Sequence, residues 1–423
     1  MKYDFDSYFF YETIPRASLN IKMKVNLTEH VDGKVLKDSA TKAFHRFPYY
    51  RRIMRFDETG AHILEPSEEE LVVKEEGAER IVLGSEETNH LFFCITWTGS
   101  SIYFHAPHSI CGGCGMMVWV QATLWQYLTD LYQTEISSEG ILTPLTPFSQ
   151  SETAIPELSK APADEGELVN DFGNAYMPMD DYEKYFKDPF KDVVFIPIIL
   201  EQDEVIGHAR ANHASPNSLF SAIMFKTLGR VFRDRDVSFI SSRIVANYRA
   251  DVGCPDTYRD LVRMLRVKYT PDMLSWSIGK LSAMTREKMF LQLRPELSWL
   301  ELKRLMAYRA EIDEVHSHEG KMQYAFDHSL IKNAPWDTYT ISYVGNLPWG
   351  GLADYVESLF FITDGHFIQE ITAVPGKFCF SFQQVVKDDK YLKAFLQILD
   401  EENLHYEVGN MEEKNLAGIH LGE

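Results

Sequence analysis

The sequence predicts a two-domain α/β protein, and three observations carry that expectation. The chain has 423 residues, too long for one ordinary domain and suited to two of about 200 residues each. Apolar residues make up 45% of it and aromatic residues 13%, enough to fill two packed cores. Strand-like and helix-like patterns alternate on both sides of a polar, proline-containing segment between residues 148 and 175, which reads as a linker or crossover. The expected division is an N-terminal half at 1–160, a connection at 161–190 and a C-terminal half at 191–423.

The elements follow in order. Val35, Leu36, Ala40, Ala43, Phe44 and Phe47 recur at helical spacing, and Pro48 ends that helix. Residues 91–98 read as a strand, Gly99-Ser100 as a turn and residues 102–105 as the returning strand. A glycine-rich loop at 111–115 opens a long apolar helix over about 116–131. Beyond the crossover, residues 193–200 form an apolar strand candidate that contains Pro197. Ser215 is placed as an N-cap with Pro216 at the first helical position of a helix reaching about Phe232. Residues 238–248 read as a strand, and 258–266 and 283–310 as helices. Strands are expected at 338–344, 359–363 and 378–385, and a last helix at 389–402. No repeat of solenoid period is present.

Composition narrows the function classes. The net charge is −20, from 62 acidic and 42 basic residues. That argues against broad nucleic-acid binding, which needs phosphate neutralisation by Lys and Arg. A local basic patch remains compatible with an anionic small substrate. No run of about 20 apolar residues marks a membrane span. The acidic, aromatic stretch from Met1 to Tyr11 lacks the basic and apolar regions of a secretory signal, so a cytoplasmic protein is expected. The five cysteines, Cys94, Cys111, Cys114, Cys254 and Cys379, are too sparse for a disulfide framework. Cys94 and Cys379 lie in strand-like runs and read as buried small apolar residues.

The chemistry concentrates at residues 104–117, Phe-His-Ala-Pro-His-Ser-Ile-Cys-Gly-Gly-Cys-Gly-Met-Met. A strand runs into His108, then into a glycine loop, then into a helix. Neutral imidazole, with an unperturbed pKa near 6.5, is available as a base at physiological pH. The glycines allow positive φ and close approach of a ligand, and the following helix brings partial positive charge at its N-terminus. Two other readings of the same segment stay open. Cys111 and Cys114 form a C-x-x-C at a helix N-terminus, the setting of a redox-active thiol pair. His105, His108, Cys111 and Cys114 add up to four zinc ligands, though one tight loop strains tetrahedral geometry, and no metal site is expected.

The segment resembles the His-His-x-x-x-Asp-Gly signature of the thioester-dependent acyltransferase superfamily, which holds chloramphenicol acetyltransferases, peptide-synthetase condensation domains and alcohol acyltransferases. On that pattern Pro107 takes the first histidine, His108 the second, Gly112 the aspartate and Gly113 the glycine. Further segments resemble the family in order and spacing. Residues 43–52 match an early helix ending in Phe-Pro-x-Tyr-Arg, and 215–232 the helix after the crossover. Residues 244–249 match a strand ending in Asn-x-Arg. Residues 340–346 match a strand ending in Ser-Asn-x-Gly, with Tyr343 in place of the asparagine.

The resemblance implies two chloramphenicol acetyltransferase-like halves, each a mixed sheet covered by helices, with an active-site tunnel between them. It implies an acyl-coenzyme A or phosphopantetheine thioester as co-substrate, a small-molecule acceptor and, as a further partner, an acyl carrier protein. The role of general base falls on His108, with Ser342 and then Asn346 as oxyanion donors. Pro107, Gly112, Gly113 and Arg249 become loop or structural positions, Arg249 as one side of an internal ion pair. The family's motif aspartate pairs with an arginine, and Gly112 cannot take that part. A chain that keeps the fold as a non-catalytic binding protein is therefore a further reading.

Overall fold

The structure, a computed structural model, describes residues 10–11, 19–163, 172–187, 193–329, 334–345, 347–365 and 367–421. Strand β1 (Asn20–Leu27) leads into helix α1 (Gly33–His45). Asp32 caps that helix by accepting from the backbone N–H groups of Lys34 and Val35, and Leu36, Ala40, Ala43 and Phe44 form its buried stripe. The hairpin β2 (Arg52–Phe56) and β3 (His62–Pro66) follows, then β4 (Val72–Glu75) and β5 (Val82–Leu83). Strands β6 (Cys94–Thr98) and β7 (Ser101–Pro107) form a second hairpin. Its two-residue turn uses Gly99 at φ +58°. Helix α2 (Gly113–Tyr132) is buried around most of its girth, with Met116, Met117, Trp119, Val120, Leu124 and Leu128 in the core.

Helix α3 (Met179–Lys187) lies within the connecting stretch. The second half opens with β8 (Val194–Glu201), helix α4 (Gln202–Ala211) and helix α5 (Pro216–Val231). Ser215 and Ser218 bond reciprocally across the start of α5, with Pro216 in its first turn, as the sequence predicts. Then come β9 (Ile240–Asn247), β10 (Val262–Tyr269), helices α6 (Ile278–Gln292), α7 (Pro295–Glu314) and α8 (His318–His328), and β11 (Tyr339–Tyr343). Strands β12 (Val356–Thr363), β13 (Ile368–Val374) and β14 (Lys377–Gln384) precede helix α9 (Lys390–Glu401) and the short strands β15 (Tyr406–Val408), β16 (Glu412–Glu413) and β17 (Gly418–Ile419).

Two mixed sheets organise these elements into two lobes. The first has the order β12-β1-β7-β6-β4, and the second β10-β9-β11-β13-β14-β8-β15, with β16 also on β8. Each sheet packs against its own apolar cluster. The lobes are stitched together. Strand β12 follows the second lobe's β11 in sequence yet pairs antiparallel with β1 of the first sheet. The Trp349 indole donates to the Ala373 carbonyl at 3.0 Å, and the C-terminal β17 returns to pair with β5. No helix among the described residues is long and apolar enough to cross a membrane.

Two expectations fail. Residues 258–266 are not helical: β10 occupies their second half and pairs antiparallel with β9. Arg263, Leu265, Val267 and Tyr269 face inward while Met264 and Lys268 face out. An inward arginine and an outward methionine hide the period-2 pattern that marks a strand. The long helix expected at 283–310 is two helices, broken at Leu293-Arg294 ahead of Pro295.

Candidate active site

Strand β7 is held on both sides, by β1 and β6, so its end is a fixed point. Pro107 pairs with Asn20, and the His108 N–H donates to the Leu19 carbonyl at 2.8 Å. The Ile110 N–H returns to the Pro107 carbonyl at 3.2 Å, which puts His108 at the corner of a tight turn. The segment after α1 clamps the loop: the Tyr49 hydroxyl donates to the Ile110 carbonyl at 3.2 Å and the Tyr50 hydroxyl to the Gly115 carbonyl at 2.9 Å.

The glycines serve a different need from the one expected. Gly112, the N-cap of α2, has φ −79°, and neither Gly113 nor Gly115 is among the residues at positive φ. What they supply is room. A Cβ on Gly115 would lie 2.1 Å from the Tyr258 carbonyl oxygen, and one on Gly112 would lie 2.4 Å from Asp260 Oδ1. One on Gly113 would lie 3.0 Å from the Phe361 ring. At Gly112 and Gly115 the second lobe approaches the loop too closely for a side chain, while at Gly113 the Phe361 ring of β12 makes the tight contact.

That approach delivers the group the sequence reading missed. Asp260, in the segment leading to β10, places Oδ2 3.1 Å from His108 Nδ1. The His108 side chain is 34% exposed and that of Asp260 only 3%, so the imidazole keeps an open side while its partner is sealed. Burial pushes the His108 pKa down. The Asp260 charge and hydrogen bond, the Glu370 charge and the residue's own backbone together outweigh burial and raise it above the ordinary 6.5.

Glu370, opposite Ser342 in the β11–β13 register, is a second buried carboxyl. Burial raises its pKa, against hydrogen bonds from Ser342 and Thr363 and the charges of His108 and Lys414. The Thr363 hydroxyl donates to it at 3.0 Å. Lys414 is itself buried, donating to the carbonyls of Thr363 and Gly365 at 3.0 Å each, and burial lowers its pKa to about 8. Neither Glu370 nor Lys414 belongs to any segment that resembles a motif, so position in the chain carried no signal for them.

The remaining expected residues divide. Arg249 is buried and donates through Nε and Nη2 to the Arg259 carbonyl at 3.1 and 2.6 Å. Its Nη2 lies 3.4 Å from the point a Gly112 Cβ would occupy, so it belongs to the interior of the His108 loop. Asn346 lies outside the described residues. His105 points away from His108: its Nε2 is 3.0 Å from the Thr96 hydroxyl, and burial holds its pKa well below 6.5. Cys111 is buried, with its thiol beside the Tyr50 hydroxyl, and Cys114 is half-buried, its Sγ 3.9 Å from the Val344 carbonyl. Neither cysteine is in a disulfide. No group of three or more metal-ligating side chains occurs among the described residues.

No protein-family model and no curated protein matches the chain. Solved structures do. The chain is similar to polyketide synthase associated protein 5 from Mycobacterium tuberculosis, at 13% identity over 93% of this chain and 96% of that one, with a TM-score of 0.59. It is similar to TRI3 trichothecene 15-O-acetyltransferase from Fusarium sporotrichioides, at 13% identity over 95% and 93% of the two chains, TM-score 0.58. It is also similar to TRI101 of F. sporotrichioides, solved with coenzyme A and T-2, at 11% identity over 96% and 99%, TM-score 0.56. The chain therefore has the two-lobed α/β fold of these solved structures.

Proposed function

We propose that this protein transfers an acyl group from a coenzyme A or carrier-protein thioester to a hydroxyl or amine acceptor, with His108 as general base. The observation that carries the reading is the state of the imidazole. Its Nδ1 faces the Asp260 carboxylate at 3.1 Å while the ring stays 34% exposed. An Nδ1–H donated to Asp260 leaves the Nε2 lone pair for the acceptor. As the acceptor oxygen or nitrogen attacks the thioester carbonyl, its proton passes to Nε2. Collapse of the tetrahedral intermediate breaks the carbon–sulfur bond, and the departing thiolate takes the proton back.

The oxyanion needs a donor. Ser342 is the first candidate and Asn346 the second. The Ser342 hydroxyl bonds to Glu370, whose pKa burial raises. When Glu370 is neutral, its own proton can go to Ser342 Oγ, freeing the serine proton for the oxyanion. Arg249, Pro107, Gly112 and Gly113 act by shaping the loop. Similarity in fold to a structure solved with coenzyme A supports free coenzyme A thioesters as donors. A carrier-protein donor draws support from the likeness to a polyketide synthase associated protein.

The test is a free-thiol release assay over a panel of acyl-coenzyme A donors with mixed alcohol and amine acceptors. Release that depends on the acceptor and disappears in a folded His108→Ala variant is the expected result. A His108→Ala variant with full activity rejects the base. The absence of a carboxylate at position 112 favours a second reading, a binding protein without turnover. That reading is supported if acyl-coenzyme A binds and no donor releases thiol. A thiol-redox role would need Cys111 to react, and Cys111 is buried whereas Cys114 is half-buried.

A further inference from the structure

We propose that Asp260 is the positioning residue for His108 and that Gly112 is the space reserved for its carboxylate. The inference rests on the general-base reading of His108 and extends it to a residue outside any motif.

Four distances carry it. Asp260 Oδ2 lies 3.1 Å from His108 Nδ1. Asp260 Oδ1 lies 2.4 Å from the point where a Gly112 Cβ would be, and its Cγ 3.3 Å from that point. Arg249 Nη2 lies 3.4 Å from the same point. A side chain at 112 and the Asp260 carboxylate therefore cannot both be present as placed. An aspartate at 112 would project its carboxylate into a space bordered by the Arg249 guanidinium. Here that space is entered instead from the opposite lobe, by a carboxylate that reaches the imidazole itself.

The arrangement is locked from several directions. The Arg259 carbonyl, next to Asp260 in sequence, accepts both Arg249 bonds. Arg259 in turn donates to the Thr153 carbonyl at 3.0 Å and to the Tyr49 hydroxyl at 3.0 Å. Tyr49 holds the Ile110 carbonyl of the His108 turn. Asp260 and its target are thus fastened to one frame, which fixes ring orientation and tautomer. The charged groups that face His108 are Asp260 from the segment before β10 and Glu370 from β13, with Lys414 and Arg249 behind them.

The experiment compares wild type, Asp260→Asn, Gly112→Asp and the exchange variant Gly112→Asp with Asp260→Gly. It reads thiol release against pH and the His108 ring nitrogens by NMR titration. Loss of an orienting carboxylate in a catalytic histidine pair costs about 10⁴ in kcat. Asp260→Asn is expected to lose about 10²–10⁴ of kcat with KM little changed. Its acid limb moves to lower pH, because the largest influence raising the His108 pKa is gone. Gly112→Asp alone is expected to melt at lower temperature because of the clash, and the exchange variant to melt higher than Gly112→Asp through relief of that clash while staying as slow in thiol release as Asp260→Asn.

Wild-type kcat and an unmoved His108 titration in Asp260→Asn overturn the proposal, as does an exchange variant no more stable than Gly112→Asp. If wild type releases no thiol with any donor, the acyl-transfer reading fails while the NMR titration still decides whether Asp260 governs the ring. If Asp260→Asn does not fold, the wild-type spectrum decides. An Nδ1-protonated neutral tautomer with a pKa above 6.5 supports the pairing, and an Nε2-protonated one rejects it.

Discussion

Gly115 in helix α2 and Tyr258 of the second lobe meet backbone to backbone: a Cβ on the glycine would lie 2.1 Å from the tyrosine carbonyl oxygen. The contact sets how closely the segment carrying Asp260 approaches the His108 loop. Gly115→Ala forces the two apart, and neither partner is a flexible side chain. Overpacking of this kind costs about 1–3 kcal/mol. The variant is expected to unfold at lower temperature and to lose thiol release beyond its loss of stability. Unchanged melting and activity would remove this steric role.

Arg46 and Glu152 form a buried pair, with side chains 3% and 6% exposed and bonds of 2.7 and 2.8 Å. The polar stretch read as a linker is thereby tied to the end of α1. Removing one partner of a buried pair leaves an uncompensated charge and costs about 3–5 kcal/mol. Arg46→Met and Glu152→Leu should each destabilise by that order, and the double variant by less than either single change. Denaturant unfolding of the three proteins gives the comparison.

Ser342→Ala tests the oxyanion donor. Loss of one such donor lowers kcat by about 10²–10³. The expected result is a fall of that size with KM nearly constant, measured with a donor and acceptor that wild type uses. A kcat equal to wild type rejects Ser342 and turns attention to Asn346→Ala.

Lys414 offers a pH signature. Its folded pKa is lowered from 10.5 to about 8 by burial. Between those values the unfolded chain binds the proton that the folded chain releases, so stability from this group rises with pH across that window. The slope of unfolding free energy against pH between 8 and 10.5 should be smaller in Lys414→Met than in wild type. Equal slopes would show that the ammonium is not desolvated in the folded protein.

Much of the fold was legible because its signals are local. The cap at Ser215 with Pro216, the stripe Leu36–Ala40–Ala43–Phe44 and the hairpin at Gly99-Ser100 each fall within a few residues and match the structure. The segment leading to Asp260 was not legible. Leu261, Met264 and Leu265 imitate helical spacing, while Arg263 faces inward and Met264 is 47% exposed. The open edge of β10 is then capped by the Gln292 side chain, which accepts from the Arg266 N–H at 2.9 Å and donates to its carbonyl at 3.0 Å. Polarity at an edge strand with such a cap does not follow the simple inside-outside rule.

By itself the sequence determined the α/β class, the strand–turn–helix order around His108 and the absence of an aspartate at 112. These depend on side-chain periodicity and on which residue types the backbone accepts, and both are written in neighbouring positions. Only the tertiary structure decided what stands in that aspartate's place. Asp260 reaches His108 because two lobes close over glycines that leave no room for side chains. A contact between segments far apart in the chain has no period, so no local pattern announces it.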